Sequence, residues 1–538
     1  MVASSDVIAS QVGVEIMKRG GNAVDAAVAV GFALAVTHPF AGNIGGGGFM
    51  LIRLSSGETA FVDYREMAPR RASHDMYLDA SQNVIKDASI VGYKAVGVPG
   101  TVAGLYLALQ KYGTMKWEEA LGPSIKLARE GFVVSYPLSQ SLKKAAKLLS
   151  GFPESNRIFL RHGKYFEEGE IFKQPELADT LARIAKDGPS EFYKGETARR
   201  LAADMAAHGG LIEEADLKNY EAKWRTPVRG TYRGYDIISA PPPSSGGTAL
   251  IEMLNLLEHF DLKSLGALSA ASLHLEAEAM QRAFCDRARY MGDADFVRVP
   301  VDGLISKNYS NDLAKTIDLK KSTPSSSVDN PDAFAGEGRE TTHYSVVDAA
   351  GNAVANTYTL NTGYGSGVTA PGLGFLLNDE MDDFTSKPGT PNMFGLIQSE
   401  NNAIQPRKRP LSAMTPTILL KDGKLFMVTG SPGGPTIINT VLQTIVNVVD
   451  YGMNIQEAVD APRIHHQWLP DELQVEPVGF SPDTLNLLRA QGHQLKLMIS
   501  PLWGNQYLGD AQAILVEPKN GVRFGASDPR RDGRAVGY

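Results

Sequence analysis

The chain has almost no cysteine. Cys285 is the only one in 538 residues, so no disulfide can form within the chain and the fold does not depend on oxidising conditions. Long apolar runs are also missing. The longest small-apolar stretch, from Ala23 to Val36, is interrupted by Asp25 and is too short to span a bilayer. There is no excess of positive charge. The formal net charge is -7, which argues against nucleic acid or an anionic membrane as the main partner. The ten histidines show no ligand spacing. His465 and His466 are adjacent, and on a strand they point to opposite faces, so no metal is predicted. The opening residues Met1 to Asp6 have neither the basic nor the apolar segment of an export signal.

What is present falls into two unlike parts. Ser5 or Asp6 can cap a first helix in which Ile8, Val12 and Ile16 recur at a spacing of four, and Gly20-Gly21 stop it. A second helix is predicted over residues 25–35; it is Ala/Val-rich on all sides and reads as buried. Four glycines, Gly45 to Gly48, come next, followed by a hairpin of residues 49–54 and 60–64. Four glycines suggest a dinucleotide loop. That motif takes a strand before the glycines and a helix after them, and here the order is reversed. Residues 100–285 are mostly helical in pattern, interrupted by a rigid loop at 240–247. Residues 321–340 are rich in Ser, Pro, Gly and charge and are expected to be mobile and accessible. Strand patterns dominate from residue 341: a hairpin through 349–352, then 353–360, 417–420, 425–428 and 513–516, with one helix near 437–449. Strand pairs with flanking helices imply layered α+β, not a doubly wound sheet.

Three groups of residues carry chemistry. Thr341 opens a strand directly after the soft stretch. In an uncut chain its hydroxyl can attack the Glu340 carbonyl, and after cleavage the same residue carries a hydroxyl nucleophile and an α-amine base. A Thr pair equally suits a plain strand start. The second group is Gly433-Gly434, between a strand and the helix near 437–449. Their amides, with the helix N-terminus, suit an oxyanion; a strand-to-helix turn is the other reading. The third is a set fit for an amino-acid head group. Arg65 and Ser412 can hold a carboxylate, and Asp383, Glu380 and Asn361 an ammonium. Each of these alone also reads as an ordinary surface or capping residue.

These pieces occur together in one order, and the chain resembles the γ-glutamyltranspeptidases, members of the N-terminal-nucleophile hydrolases. The likeness runs nearly end to end. It is carried by Gly20 to Ala27, Gly45-Gly46-Gly47-Gly48-Phe49, Tyr64-Arg65-Glu66-Met67-Ala68-Pro69 and Thr341-Thr342-His343-Tyr344-Ser345. It continues through Asn378 to Phe384, Lys408-Arg409-Pro410-Leu411-Ser412, Pro432-Gly433-Gly434 and Gly525 to Arg530.

The resemblance implies a four-layer αββα sandwich made as a precursor and cut before Thr341. Residues 1–340 would form a large subunit and 341–538 a small one, the two remaining one compact unit. It implies Thr341 as nucleophile, Thr359 bonded to its amine or hydroxyl, and Gly433 and Gly434 as oxyanion hole. Arg65 and Ser412 would hold the γ-glutamyl α-carboxylate, and Asn361, Glu380 and Asp383 its α-amine. Residues 388–409, with Phe394, would form a lid, and Arg463 and Arg530 would be structural. The implied substrates are glutathione, glutamine and related γ-glutamyl amides, with water or an amino acid as acceptor and no cofactor. An exported protein, periplasmic or secreted, is implied, its signal trimmed before this numbering.

Two departures stand out. Ala413 replaces a second serine, and Pro435-Thr436 replaces a Ser-Arg pair; both bear on substrate range. An acylase of another amide, such as a β-lactam side chain or poly-γ-glutamate, is the alternative within the family. Outside its catalysis, an unprocessed amino-acid-binding homologue would remain a single chain, and a nucleotide-dependent oxidoreductase would have to bind NAD.

Overall fold

Strand residues alternate between two apolar surroundings, and that alternation builds the molecule. In the strand Gly47–Arg53, Phe49 and Leu51 point into one core while Met50 and Ile52 point into another. In the strand Thr417–Lys421, Ile418 and Leu420 share the first of these cores, and Leu419 faces a third. The shared core is therefore the contact between two sheets, and each sheet carries helices on its outer face. The computed structural model describes residues 1–328, 341–500 and 504–538, and this arrangement is the expected αββα sandwich.

The first sheet runs, edge to edge, through Arg534–Val536, Val2–Ser4, Thr342–Val347, Ala353–Thr359, Gly47–Arg53, Thr59–Tyr64 and Lys223–Arg225. The second runs through Arg523–Ser527, Gln512–Val516, Lys424–Gly430, Thr417–Lys421, Tyr235–Ser239 and Val228–Tyr232. All these pairings are antiparallel. Residues from both sides of position 341 are neighbours in both sheets, so a cut there would leave two interleaved pieces holding one core. Helices Val7–Lys18, Ala23–Thr37 and Thr101–Tyr112 cover the first sheet, and Gly246–Leu257, Ala270–Tyr290 and Thr436–Val449 the second.

Several sequence expectations need correction. The second helix runs Ala23–Thr37, two residues longer at each end than expected, because Asn22 caps it and Asp25 completes the capping box. The stretch 100–285 is mostly helical, as expected, but it also holds strands the pattern did not show, among them Lys223–Arg225, Val228–Tyr232 and Tyr235–Ser239. They are short, and the turn joining the last two takes positive φ at Arg233 and Gly234, a turn signal the helical pattern around it hides. Within 321–328, Lys321, Pro324, Ser326 and Ser327 are exposed as expected, but Ser325 is buried and bonded to Trp468 O and Asp471. Residues 329–340, including Glu340, lie outside the described residues.

The glycine run is explained by close approach and not by a phosphate. A Cβ on Gly46 would lie 2.0 Å from Thr359 O, so the run lets one strand end pass against the end of its neighbour.

His343 sets a pH dependence. Its buried ring bonds Thr357 and Ser345, and burial pushes its pKa down to about 3. An unfolded histidine titrates near 6.5. Between these values the unfolded chain binds the extra proton, so stability from this residue is complete above about 6.5 and is lost as pH falls toward 3. In thermal melts, a His343→Asn variant is therefore expected to gain on the parent protein by about 2–3 kcal/mol between neutral pH and about pH 4.5. A difference that stays constant with pH would rule this out.

Candidate active site

The strand Thr342–Val347 begins at the edge of a small cavity, and Thr341, just before the strand, lines it. The antiparallel register does the rest. Tyr358 sits opposite Thr342, which brings Thr359, the last residue of its strand, to the same wall as Thr341. The Thr359 hydroxyl accepts the Asn361 amide at 2.8 Å. Asn361 then turns the chain with φ +79, a conformation asparagine tolerates better than most residues, and lines the cavity as well.

Arg65 follows directly after the strand Thr59–Tyr64 and is fully buried. Its guanidinium meets Glu380 and Asp383, which come from a single helical turn, and Glu66 at 3.7 Å. Its Nε donates to Pro410 O at 3.3 Å and its Nη2 to Leu411 O at 3.4 Å. The contact with Glu380 is an ion pair without hydrogen-bond alignment, since neither Arg65 Nη1 nor the Glu380 oxygens have a hydrogen-bond partner. Burial opposes the charge on Arg65, but the three carboxylates outweigh it and hold its pKa above the ordinary value. Burial raises Glu66 to about 7 and Glu380 well above the usual carboxyl range, with Arg65 opposing both shifts. The two glutamates face one another, and burial favours the neutral form of each.

Ser412, next to the Leu411 carbonyl that Arg65 bonds, also lines the cavity. Its backbone pairs with Ser244 in an isolated bridge, its carbonyl accepts the Ser245 amide at 2.8 Å, and its hydroxyl accepts the Met414 amide at 3.1 Å. The rigid loop at 240–247 is thus the mount for Ser412. Beyond it, the strand Lys424–Gly430 leads to Gly433 and Gly434, at φ +134 and +54, ahead of the helix Thr436–Val449. Among the described residues neither glycine amide donates a hydrogen bond. Gly434 lines the cavity; Gly433 stands beside it without lining it. Phe394 and Leu396, from the stretch 388–409, line the cavity too.

The fold therefore brings Thr341, Thr359, Asn361, Arg65, Glu380, Asp383, Ser412, Gly434 and Phe394 to one cavity. Arg463 and Arg530 are elsewhere, in a buried network with Asp528 and Glu476. Sequence reasoning missed Glu66, Ser245 and Arg287. Only Glu66 had a signal, its place in the Tyr64-Arg65-Glu66-Met67 block. One histidine group also escaped notice: His274, Glu278 and His493 have ligand atoms within 4.8 Å of one another. There His274 and His493 bond each other at 2.8 Å, and Glu278 holds Arg282 and Thr323, a self-satisfied network.

Comparisons with known proteins agree with this geometry. The family model described as Gamma-glutamyltranspeptidase matches residues 9–538. The glutathione hydrolase proenzyme of Escherichia coli (strain K12) is 52% identical over 540 residues, covering 100% of this chain and 92% of that protein. Among solved structures, a cephalosporin acylase from Bacillus halodurans matches with TM-score 0.86 at 28% identity, over 100% of this chain and 95% of that one. The Helicobacter pylori γ-glutamyltranspeptidase matches with TM-score 0.60 at 48% identity, over 61% of this chain and 94% of that one. Among the described residues no helix is long and apolar enough to cross a membrane. A cavity that joins a strand-opening threonine to an arginine–carboxylate cluster and a glycine pair, and a match that spans nearly every residue, lead to one conclusion: the chain belongs to the γ-glutamyltranspeptidase family.

Proposed function

We propose that this protein is a glutathione hydrolase and γ-glutamyltransferase that first cuts itself before Thr341. In the precursor the Thr341 hydroxyl attacks the Glu340 carbonyl, the peptide bond gives way to an ester, and water opens the ester. An α-amine ordinarily titrates at about 7.7–8, so among the side-chain and terminal bases it is one with a substantial neutral fraction near neutral pH. The Thr341 hydroxyl then attacks the γ-carbonyl of glutathione or a related γ-glutamyl amide, and the amine takes its proton. The oxyanion is held by the Gly433 and Gly434 amides. The leaving amine departs with the proton and a γ-glutamyl ester stays on Thr341. Water releases glutamate, or an amino acid takes the acyl group.

The observation that carries this reading is the meeting of Thr341 with Arg65, Asp383 and Ser412 around one small cavity. Positive and negative groups side by side suit a zwitterionic amino-acid head, which binding then positions against the nucleophile. Two-chain maturation is supported by the proenzyme name of the E. coli relative. It is also supported by the H. pylori chain, which matches 61% of this one, a share close to that of residues 1–340. The likeness to a cephalosporin acylase favours one second reading, an acylase of substrates without the α-ammonium. Arg65, Glu380 and Asp383 argue for the free glutamyl head.

The test is intact mass and N-terminal sequencing, followed by rates on γ-glutamyl-p-nitroanilide and glutaryl-p-nitroanilide. A fragment beginning Thr341-Thr342-His343 and a strong preference for the γ-glutamyl compound are expected. Preference for the glutaryl compound would move the acylase reading to the front. An uncut, inactive chain would favour the binding-protein reading.

The glycine pair gives a separate prediction. A Cβ on Gly433 would lie 2.4 Å from Thr436 Oγ at a φ of +134, so Gly433→Ala must shift the loop that aims both amides. kcat on γ-glutamyl-p-nitroanilide is expected to fall about 10²–10³-fold, the usual effect of losing one oxyanion donor, with a smaller change in KM. An unchanged kcat would remove these amides from the reaction.

A further inference from the structure

Arg287 is the one residue on the cavity wall whose charge the protein leaves unpaired among the described residues. It sits near the end of the helix Ala270–Tyr290, is 2% exposed, and lines the cavity with Thr341, Ser412 and Ala413. Its Nε donates to Ser245 Oγ at 2.9 Å, and that hydroxyl donates on to Ser412 O at 2.7 Å. Its Nη1 is buried with no hydrogen-bond partner. Asp383 and Arg65 act on its charge from a distance. A buried guanidinium with an unmade hydrogen bond is costly, and such a group facing a cavity is accounted for when a ligand completes it.

The contrast with Arg65 points to the ligand. Arg65 already meets Glu380, Asp383 and Glu66, so most of its charge is compensated inside the protein. A substrate carboxylate entering the cavity finds its uncompensated positive charge at Arg287. Ala413, which also lines the cavity, offers no side-chain donor.

We propose that Arg287 is a substrate-binding residue, its Nη1 donating to the α-carboxylate of the γ-glutamyl group in place of the hydroxyl that Ala413 lacks. The inference rests on the γ-glutamyl reading above. Ser245 fixes Nε, so the guanidinium is held in position before substrate arrives, and the free edge sets a preference for acyl groups bearing an α-carboxylate.

The experiment compares γ-glutamyl-p-nitroanilide with 4-aminobutanoyl-p-nitroanilide, which keeps the ammonium and lacks the α-carboxylate. Intact mass confirms that each variant is cut. Arg287→Gln is expected to raise KM for the γ-glutamyl compound about 10- to 100-fold, the range for a charge-assisted hydrogen bond. kcat should change far less, and kcat/KM for the decarboxylated compound should stay as in the parent enzyme. Arg287→Lys should recover part of the loss. Ala413→Ser, which leaves Arg287 in place, should lower KM for the γ-glutamyl compound alone.

An Arg287→Gln variant with unchanged KM would overturn the proposal. So would an equal loss on both compounds, which would make Arg287 a positioning residue for the Ser412 loop. Parent enzyme with no turnover of γ-glutamyl-p-nitroanilide would remove the functional reading itself, an outcome distinct from either of these.

Discussion

Thr341→Ala is expected to give a single uncut chain with no measurable turnover of γ-glutamyl-p-nitroanilide, a loss of at least about 10⁴-fold, as for other enzymes stripped of their nucleophile. The reason is that one residue carries both roles. Without the hydroxyl the peptide bond that follows Glu340 is never attacked, so the α-amine that would serve as base is never released. The fold should survive. Thr341 is 5% exposed and stands just ahead of the strand Thr342–Val347; loss of one hydroxyl there costs on the order of 1 kcal/mol. Thermal melts of the uncut variant and the uncut parent should nearly coincide. Thr341→Ser keeps the hydroxyl and, once cut, the amine, and should be processed and active. A Thr341→Ala chain that still splits at this position, or still turns over substrate, would end the nucleophile assignment.

Arg65→Gln should be nearly as damaging for a different reason. Arg65 is the hub of a buried charge cluster. Removing it leaves Glu66, Glu380 and Asp383 facing one another, and breaking a buried pair by deleting one partner costs about 3–5 kcal/mol. Its backbone acceptors, Pro410 and Leu411 O, lie directly before Ser412, so the mount of Ser412 should loosen as well. The expected result is a clear fall in melting temperature together with a KM for γ-glutamyl-p-nitroanilide too high to measure.

The pH dependence supplies an internal check on this variant. Carboxyls whose folded pKa lies above the unfolded value bind protons more tightly in the native state, so they stabilise it as pH falls. Glu66 is raised to about 7 even with Arg65 present, against an ordinary 4.5. Arg65 opposes that shift, so in Arg65→Gln the folded pKa of Glu66 lies higher still, and the variant's deficit against the parent should be largest at alkaline pH and narrow as pH falls toward about 7. Arg65→Lys keeps a charge but not the planar fork and should fall between parent and Gln variant. A Gln variant as stable as the parent at neutral pH would mean the three carboxylates do not depend on Arg65.

Legibility in the sequence followed the range of the forces involved. The helix Ala23–Thr37, buried at every position, could be read from composition because its environment is uniform. Thr341, Gly433 and Gly434 could be placed because their setting is local, a residue at a strand start and two glycines before a helix, while their role was left open until the family pattern joined them. The strands Val228–Tyr232 and Tyr235–Ser239 could not. They are five residues each; Tyr235–Ser239 pairs with Thr417–Lys421, far along the chain, and Val228–Tyr232 joins the sheet only through it. The burial of Ser325 could not be read for the same reason, because its partners, Trp468 and Asp471, are remote in sequence.

By itself the sequence determined the layered α+β class and, through the family pattern, marked Thr341 and the pair Gly433-Gly434 as candidates. It also held the family pattern that ties Arg65, Glu380, Asp383 and Ser412 together. The tertiary structure decided how charge is shared among them. Burial is a property of the whole fold: it raises Glu66 and Glu380, sets three carboxylates around Arg65, and mounts Ser412 on the loop at 240–247. It also brings Arg287, from a helix well ahead of Thr341 in the chain, to the same cavity, with one edge unmet. A charge in water says little about its neighbours, whereas a charge sealed from water must be matched by something within a few ångströms.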